Sequence, residues 1–344
     1  AAGAAPAVLS GGRPLPWLDT GGVEMVQLPP LTARVGDYRT LRLPDGTPAD
    51  SAYLDRRRDA LTAALRDLAP HALVTELWPF GRIALTAEFL AALDAADAPA
   101  LCSLRDVPEP PSRPERVTEA LAHAERFAAV LVHGDPAILP LAASWPVEAA
   151  FGNRLRYTGY VTTTPPAPSA GGDTVLVSVG GGLLGRRLLA LAAEAAKHSP
   201  RRWHLLVGGS DAAAEAARLR ALGPAEAEPA RADYRALLRG AAVSVSLAGY
   251  NTAVDVVLSR TPALLVPMAE AGEQEQVIRA AAFAKRFAGI EMAGLESLNP
   301  AGLAALAERL AGTARDSGKV RADGARCAAD AILRITNGRQ GPDA

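Results

Sequence analysis

A glycine-rich segment in the second half of the chain, Ser178-Val-Gly-Gly-Gly-Leu-Leu-Gly185, joins an apolar strand-like run to a helix-like one. Backbone N–H groups at Gly180, Gly181 and Gly182 can approach a phosphate closely, and the N-terminus of the following helix adds partial positive charge. The segment is neither a P-loop nor a GxGxxG fingerprint, because no Gly-Lys-Ser/Thr follows. It predicts a phosphate site, with a tight turn that binds nothing as the alternative.

A second segment, LAGYNTAVD at residues 247–255, has the same order of strand, turn and helix start. Gly249 leaves room for a phosphate, and Asn251 or Thr252 can cap the helix. Asp255 can accept hydrogen bonds from two ribose hydroxyls. The alternative for Asp255 is an acid in the first helical turn that complements the helix dipole, a contribution of about 0.3–1 kcal/mol.

The third segment, PMAEAGEQEQVIRA at residues 267–280, follows another apolar run. Its carboxylate and amide groups at Glu273, Gln274 and Gln276 are of the kinds that hydrogen-bond sugar hydroxyls, although a polar helix N-terminus has the same composition. Since the carboxyl ends of parallel strands meet at one edge of a sheet, we expect the three segments to converge there. Phosphate, ribose and sugar contacts would then belong to one site.

The elements that must position these segments follow from hydrophobic periodicity. In residues 1–161, short apolar runs alternate with Ala/Leu/Arg-rich helical stretches, which predicts βαβ units and a parallel sheet covered by the amphipathic stretch Tyr53–Leu68. Residues 162–173, TTTPPAPSAGGD, have nothing to bury and predict a linker. Strand-like and helix-like runs alternate again through residues 174–344, which predicts a second, doubly wound α/β domain.

The composition argues against several classes of protein. Lys and Arg number 36 against 37 Asp and Glu, a formal net charge of -1, and the absence of a basic stripe in the sequence disfavours nucleic acid as a partner. Cys102 and Cys327 lack metal-ligand spacing, so neither a zinc site nor a disulfide framework is expected. No apolar run approaches the ~18–20 residues of a membrane span. We expect a cytoplasmic protein, and peripheral contact with the inner face of a membrane is also compatible.

With these three segments, the chain resembles the MurG-like glycosyltransferases over nearly its whole length. SVGGG resembles the glycine loop under the donor diphosphate, GYNTAVD the segment that ends in a ribose-binding acid, and EQEQVIRA the segment that contacts the donor sugar, with Arg279 where Asn is usual. The resemblance implies the GT-B fold, in which two Rossmann-like doubly wound domains face each other across a cleft. The donor site that it implies comprises Ser178, Gly180, Gly181, Gly182, Gly249, Tyr250, Asn251, Thr252, Asp255, Glu273, Gln274 and Gln276.

The first half resembles a branch of predicted glycosyltransferases within this family, in segments that include TELWPFGR, SLRD and VHGDP. These three follow strands. The resemblance makes Glu76 and Arg82 candidates for the acceptor side and Arg105, Asp106 and His133 candidates for acid or base work, with a structural role as the alternative for each.

The favoured general base of this family is a histidine in a Gly-Ile-Gly-His-type loop after the first strand, and the sequence has no such loop. Because the sequence also opens without Met, we expect residues upstream to be missing, among them the first strand and helix of the N-terminal domain.

The reaction that the resemblance implies is an inverting, metal-independent transfer of a hexose or N-acetylhexosamine. The donor is a nucleotide-diphosphate-sugar, with UDP as the expected nucleotide, and the acceptor hydroxyl is unidentified. No cofactor is implied, and the sequence has no Asp-x-Asp triplet to hold a metal. The alternatives are a nucleotide-sugar hydrolase or epimerase on the same fold, or a non-catalytic sugar-nucleotide-binding subunit, which the missing histidine loop favours.

Overall fold

The computed structural model describes residues 3–14, 19–34, 37–163, 172–179, 183–269, 272–314 and 319–338. The chain divides into two units, one formed by residues 1–133, 144–158 and the segment from Gly324 onward, the other by residues 134–143 and 159–323. This division differs from the predicted domains 1–161 and 174–344, because the chain changes unit several times and its last helix belongs to the first unit.

The last helix, Gly324–Asn337, belongs to the first unit because of the apolar contacts that it makes there. Ala331 is buried in a cluster with Leu101, Ala129 and Leu131. Removal of this apolar surface from water stabilises the association of the helix with the first unit. A helical periodicity in the sequence predicts that a helix has an apolar face, but it does not indicate against which sheet that face packs.

The first unit contains a four-stranded, wholly parallel sheet in the order β5-β6-β7-β8, a parallel pair β1-β2 and an antiparallel pair β3-β4. Its strands are β1 (Ala7–Ser10), β2 (Glu24–Gln27), β3 (Thr32–Arg34), β4 (Asp37–Arg42), β5 (Leu73–Glu76), β6 (Ala100–Arg105), β7 (Phe127–His133) and β8 (Leu155–Tyr157). Before the last helix, its α-helices are α1 (Ser51–Leu68), α2 (Thr86–Ala96), α3 (Glu115–Ala124) and α4 (Glu148–Phe151).

Helix α1 confirms the prediction made from its apolar periodicity. Asp50 caps its N-terminus by accepting the backbone N–H of Tyr53 at 2.7 Å. Leu61 and Leu65 are buried against Leu28 and Ala92, so the apolar face packs into the core and the opposite face meets solvent.

The second unit is a six-stranded, wholly parallel sheet in the order β11-β10-β9-β12-β13-β14. Its strands are β9 (Thr174–Val179), β10 (Arg202–Val207), β11 (Glu226–Pro229), β12 (Val243–Ser246), β13 (Ala263–Leu265) and β14 (Ile290–Met292). Its α-helices are α5 (Leu183–Ala195), α6 (Ala212–Arg220), α7 (Tyr234–Gly240), α8 (Tyr250–Ser259), α9 (Glu275–Arg286) and α10 (Pro300–Ala311).

Both faces of this sheet are covered by apolar packing. Along β9, Val175 and Val177 lie in one hydrophobic cluster, whereas Leu176 between them lies in a second. A strand buried on both faces reads as a continuous apolar run, which explains why the apolar run before the glycine-rich segment predicts β9. The doubly wound architecture places helices on both sides and leaves the carboxyl edge of the sheet for a ligand.

Candidate donor and acceptor sites

In the second unit, the strand order reverses between β9 and β12, which start βα units that lead away in opposite directions along the sheet. Ser178 near the end of β9 pairs in register with Ser246 at the end of β12. Such a reversal point, at the carboxyl ends of the strands, is where open α/β sheets bind ligands. Ser178 is partly exposed there, whereas Gly180, Gly181 and Gly182 lie outside the described residues.

The start of α8 differs from the prediction. The helix begins at Tyr250, with Gly249 in extended conformation at the N-cap and no side-chain cap hydrogen bond, so neither Asn251 nor Thr252 caps it. Both lie in the first turn instead, Asn251 exposed and Thr252 partly buried. A methyl group built at Gly249 would meet no atom within 4 Å, so this helix end has open space beside it, as an approaching phosphate needs.

The side chain of Tyr250 packs in the core of the second unit. Its side chain is buried, its hydroxyl accepts the backbone N–H of Val161 at 2.9 Å, and its ring lies 5.8 Å from the guanidinium carbon of Arg279. These contacts give Tyr250 a structural role in the second unit, and its place in the donor site stays a prediction.

Asp255 lies in the second turn of α8, not in its first turn, which removes the helix-dipole alternative for this acid. Its carboxylate Oδ1 is 2.9 Å from Nε of Arg235, and only 9% of its side chain is exposed. Burial raises the pKa of Asp255 and outweighs the opposing attraction of Arg235. A ribose that reached this carboxylate would meet an acceptor already held by a guanidinium.

Helix α7 contributes two residues to this edge that the sequence analysis did not single out. Arg235 forms the ion pair with Asp255, and the hydroxyl of Tyr234 lies 3.5 Å from the hydroxyl of Ser178. Burial raises the pKa of Tyr234 to about 12, which keeps the phenol protonated and able to donate. The missed signal was β11, a short polar strand whose recognition would have placed these residues after a strand end.

The third predicted segment has two kinds of residue. Oε1 of Gln276 accepts the backbone N–H groups of Ala248 at 3.0 Å and Met268 at 3.1 Å, and so connects the loops after β12 and β13. Gln274 is exposed at the N-cap of α9 and Glu273 is partly buried beside it. Gln276 therefore organises the edge, while Gln274 and Glu273 lie nearer to solvent.

Arg279, the departure from the family pattern, is fully buried. Its guanidinium donates to the carbonyl of Ala248 at 2.9 Å and pairs with Glu275 at 2.9 Å, one helical turn earlier. Arg279 thus stabilises the loop after β12 from within.

In the first unit, three of the predicted side chains come together at the carboxyl edge of the parallel sheet. Glu76 at the end of β5 forms an ion pair with Arg82, and its Oε1 lies 3.9 Å from Nη2 of Arg105 at the end of β6. All three side chains are about half exposed. Two guanidiniums beside one carboxylate give this edge an excess of positive charge within reach of solvent.

His133 at the end of β7 is the centre of a second polar group on the same edge. Its Nε2 lies 2.8 Å from Oγ of Ser103, and its Nδ1 lies 2.9 Å from Oγ1 of Thr158. Burial lowers the pKa of His133, so the imidazole is neutral at neutral pH. The sequence analysis named His133 but not Ser103 or Thr158, because neither adjoins it in the chain.

Asp106 does not join these groups. It is fully buried and its Oδ1 accepts the backbone N–H of Val107 at 2.8 Å. This contact supports a structural role for Asp106 in the loop after β6, and acid or base work for this residue stays a prediction.

Comparison with solved structures identifies the architecture. MurG from Acinetobacter baumannii superposes with a TM-score of 0.59 at 16% sequence identity, over 95% of this chain and 90% of that one. UGT89C1 from Arabidopsis thaliana gives a TM-score of 0.54 at 14% identity, over 93% and 88% of the two chains. The calicheamicin glycosyltransferase CalG4 gives 0.52 at 18% identity, over 94% and 87%.

The chain has the GT-B glycosyltransferase fold.

Curated relatives in sequence agree with this GT-B assignment and confirm the resemblance to MurG. The UDP-N-acetylglucosamine–N-acetylmuramyl-(pentapeptide) pyrophosphoryl-undecaprenol N-acetylglucosamine transferase of Synechococcus sp. (strain JA-3-3Ab) is 31% identical over 199 residues. This match covers 55% of the chain and 53% of the relative. The enzyme of the same name from strain JA-2-3B'a(2-13) is 32% identical over 146 residues, which are 41% of the chain and 40% of the relative.

The chain thus aligns with about half, or less, of the length of these two curated relatives. No family model matches it. Within the described part of this GT-B chain, no cluster of three or more His, Cys, Asp or Glu side chains could hold a metal ion. Likewise, none of the described helices is both long enough and apolar enough to cross a bilayer.

Proposed function

We propose that this chain is a glycosyltransferase that takes a hexose or N-acetylhexosamine from a UDP-sugar and transfers it to an acceptor hydroxyl. The observation that carries the proposal is the strand-order reversal between β9 and β12, where Ser178 pairs with Ser246 at the end of the strand that precedes the open start of α8. A nucleoside diphosphate suits this edge, because a helix N-terminus favours phosphate. The name of the curated relatives, which states a UDP-N-acetylglucosamine donor, supports UDP as the carrier.

The donor site in this proposal is divided by chemistry. Gly180, Gly181 and Gly182, although outside the described residues, are assigned to the diphosphate together with Ser178 and the backbone of Gly249. Asp255 is assigned to the ribose hydroxyls, with Arg235 as its counter-ion. Glu273 and Gln274 are assigned to the sugar, and Gln276 holds the two loops between which the sugar would lie.

The mechanism in this proposal is a single displacement with inversion at the anomeric carbon. The acceptor oxygen attacks that carbon while the bond to the diphosphate breaks, and the electron pair leaves with the diphosphate. The start of α8 and the glycine segment stabilise the developing negative charge, so neither a metal ion nor a cofactor is required. Glu76, Arg82 and Arg105 are assigned to acceptor binding.

The experiment that tests donor binding is a thermal-shift series with UDP, GDP, ADP, dTDP and their sugars on the wild-type chain, Asp255→Asn and Glu291→Gln. Glu291 is a matched control, because it is also a carboxylate paired with an arginine, Arg309, in the same unit. A ligand at ~100 times its Kd adds about 2.7 kcal/mol to stability. We expect stabilisation by UDP and UDP-sugars in the wild type and in Glu291→Gln, and its loss in Asp255→Asn.

Analysis of the products then separates the reactions. Transfer to an alcohol with inverted anomeric configuration, in the presence of EDTA, would support the whole proposal. Release of free sugar alone would make the chain a hydrolase, and an altered sugar still attached to UDP would make it an epimerase. A chain that binds no nucleotide would contradict the proposal itself.

A further inference from the structure

Two side chains of α9 hold the backbone of Ala248, which lies two residues before the first residue of α8. Oε1 of Gln276 accepts the backbone N–H of Ala248 at 3.0 Å, and Nη1 of Arg279 donates to the carbonyl of the same residue at 2.9 Å. Gln276 and Arg279 are about one helical turn apart, so they lie on the same face of α9. Ala248 is fully buried, and both polar groups of its backbone are held from this one face.

The guanidinium of Arg279 is kept in its buried position by two further contacts. Its Nη2 lies 2.9 Å from Oε1 of Glu275, and its guanidinium carbon lies 5.8 Å from the ring centroid of Tyr250. None of the Arg279 side chain is exposed to solvent. Because a buried charge that leaves its partners costs stability, the guanidinium stays on the carbonyl of Ala248.

The direction of the next backbone group follows from the planarity of the peptide bond. The bond between Ala248 and Gly249 is trans, and a trans peptide group directs its C=O and its N–H in opposite directions. Since the carbonyl of Ala248 is directed to the buried guanidinium, the N–H of Gly249 is directed away from it. Among the hydrogen bonds of the described residues, none has this N–H as its donor. Gly249 is partly exposed, so its N–H is available to a ligand.

We propose that Arg279 is a positioning residue for the donor, because it holds the carbonyl of Ala248 so that the N–H of Gly249 is presented to the diphosphate of the UDP-sugar. This inference rests on the proposed function and adds a residue to it. A backbone N–H that is fixed before the ligand arrives binds an anion without reorganisation. Arg279 itself does not touch the donor, since its effect passes through one peptide group.

The same contacts could serve only to stabilise the loop after β12, so the test must detect an effect that passes through the Gly249 N–H. Gly249→Pro removes this N–H, and the φ of -61° at Gly249 is close to the value that proline requires. Gly249→Ala adds a side-chain carbon but keeps the N–H, so it measures the steric part of the change. Arg279→Met removes the guanidinium and keeps an unbranched apolar side chain in its place.

Arg57→Met is the matched control for the loss of a buried arginine. Arg57 is a buried residue of the first unit, pairs with Glu88 at 2.7 Å and donates to the carbonyl of Gly11 at 3.0 Å. Its contacts are therefore of the same kinds as those of Arg279, but they do not involve the donor edge. Arg57→Met should bind UDP as tightly as the wild type does.

The experiment measures the affinity for UDP by titration calorimetry in the wild type, the single variants and the double variant Gly249→Pro/Arg279→Met. We expect Gly249→Pro to bind UDP ~10- to 100-fold more weakly, which corresponds to the loss of one hydrogen bond to a charged group, and Gly249→Ala to lose less. Arg279→Met should also bind more weakly, and Arg279→Lys, which keeps a donor for the carbonyl, should recover part of the affinity. The double variant should bind as Gly249→Pro does, because a residue that acts through the N–H has no effect once the N–H is absent.

Three results would overturn the inference while donor binding stands. They are wild-type UDP affinity in Arg279→Met, equal affinities of Gly249→Pro and Gly249→Ala, and losses that multiply in the double variant. Gly249→Pro leaves Arg279 in place, so the comparison with Gly249→Ala can overturn the inference even if Arg279→Met does not fold. A wild-type chain that does not bind UDP would instead overturn the proposed function.

Discussion

At the scale of single residues, Asp255 shows how the environment decides between roles that the sequence leaves open. An acid near a helix start can complement the dipole or bind a ligand, and the observed helix start puts Asp255 beyond the first turn. Its ion pair with Arg235 then compensates part of the cost of burial. Burial of the Asp255 carboxylate lowers the stability of the chain, and a charged group that is buried at such a cost is typical of a functional site.

Arg235→Gln should destabilise the chain by about 1–3 kcal/mol at neutral pH, because it leaves the buried carboxylate of Asp255 without its cation. The pKa of Asp255 is already raised, so the native state binds the proton more tightly than the unfolded state does. The free energy of unfolding therefore falls as the pH rises from the pKa of Asp255 in the unfolded state through its pKa in the folded state. This fall should be larger in Arg235→Gln than in the wild type. Urea unfolding across this acid range measures the difference, and equal pH dependence of the two chains would contradict it.

Gln276→Ala should destabilise the second unit by about 1–3 kcal/mol, because two partly buried backbone N–H groups lose their acceptor. Gln276→Glu keeps the accepting oxygen and should be tolerated better. Gln274→Ala, at an exposed neighbouring position, is the matched control and should change stability by no more than about 0.5 kcal/mol. Denaturant unfolding of the three variants is the measurement, and equal midpoints for Gln276→Ala and Gln274→Ala would exclude the proposed clamp.

At the scale of elements, apolar continuity and periodicity were sufficient for β9 and α1 but not for the short polar strands. Strand β11 reads EAEP and β14 reads IEM, so neither shows a strand pattern of its own. They form because neighbouring strands of a parallel sheet offer hydrogen-bonding partners at its edges. The omission of β11 is also the reason that Tyr234 and Arg235 were not recognised as edge residues.

The start of α8 gives a prediction at this scale. Gly249→Ala should change stability by less than about 1 kcal/mol, because its φ of -61° suits any residue and the added methyl group meets nothing within 4 Å. UDP affinity should fall if a phosphate approaches the backbone here. Gly159→Ala is the contrast: its φ is +89° and the methyl group would lie 2.9 Å from the carbonyl oxygen of Arg321, so it should destabilise the chain. Thermal unfolding with and without UDP measures both, and unchanged UDP affinity in Gly249→Ala would remove this helix start from the donor site.

At the scale of the whole molecule, the chain builds two α/β units but does not give each a single continuous stretch of sequence. Residues 134–143 belong to the second unit, and the last helix belongs to the first. The Pro/Gly-rich composition of residues 162–173 indicated a linker, although 164–171 lie outside the described residues. Composition reveals where a chain has little to bury, but it does not reveal which core a distant helix will join.

Ala331→Asp tests the assignment of the last helix. A charge at this buried position, against Leu101, Ala129 and Leu131, should destabilise the first unit by roughly 3 kcal/mol or more. Ala325→Asp makes the same substitution at an exposed position of that helix and should be nearly neutral. Amide hydrogen exchange should show lost protection in β6 and β7 with β9 and β12 unaffected. Equal loss in both units, or none in Ala331→Asp, would contradict the assignment.

The sequence by itself determined the α/β class, the buried strands and the three polar segments that follow strands of the second unit, because these depend on local periodicity and on which residues follow a strand. Tertiary structure decided what each side chain does there. Arg279, Asp106 and Tyr250 are enclosed, Asp255 acquires Arg235 from a different helix, and His133 acquires Ser103 and Thr158 from different segments. These partners are distant in the chain, and only the register of parallel strands and the packing of helices between them bring such groups within hydrogen-bonding distance.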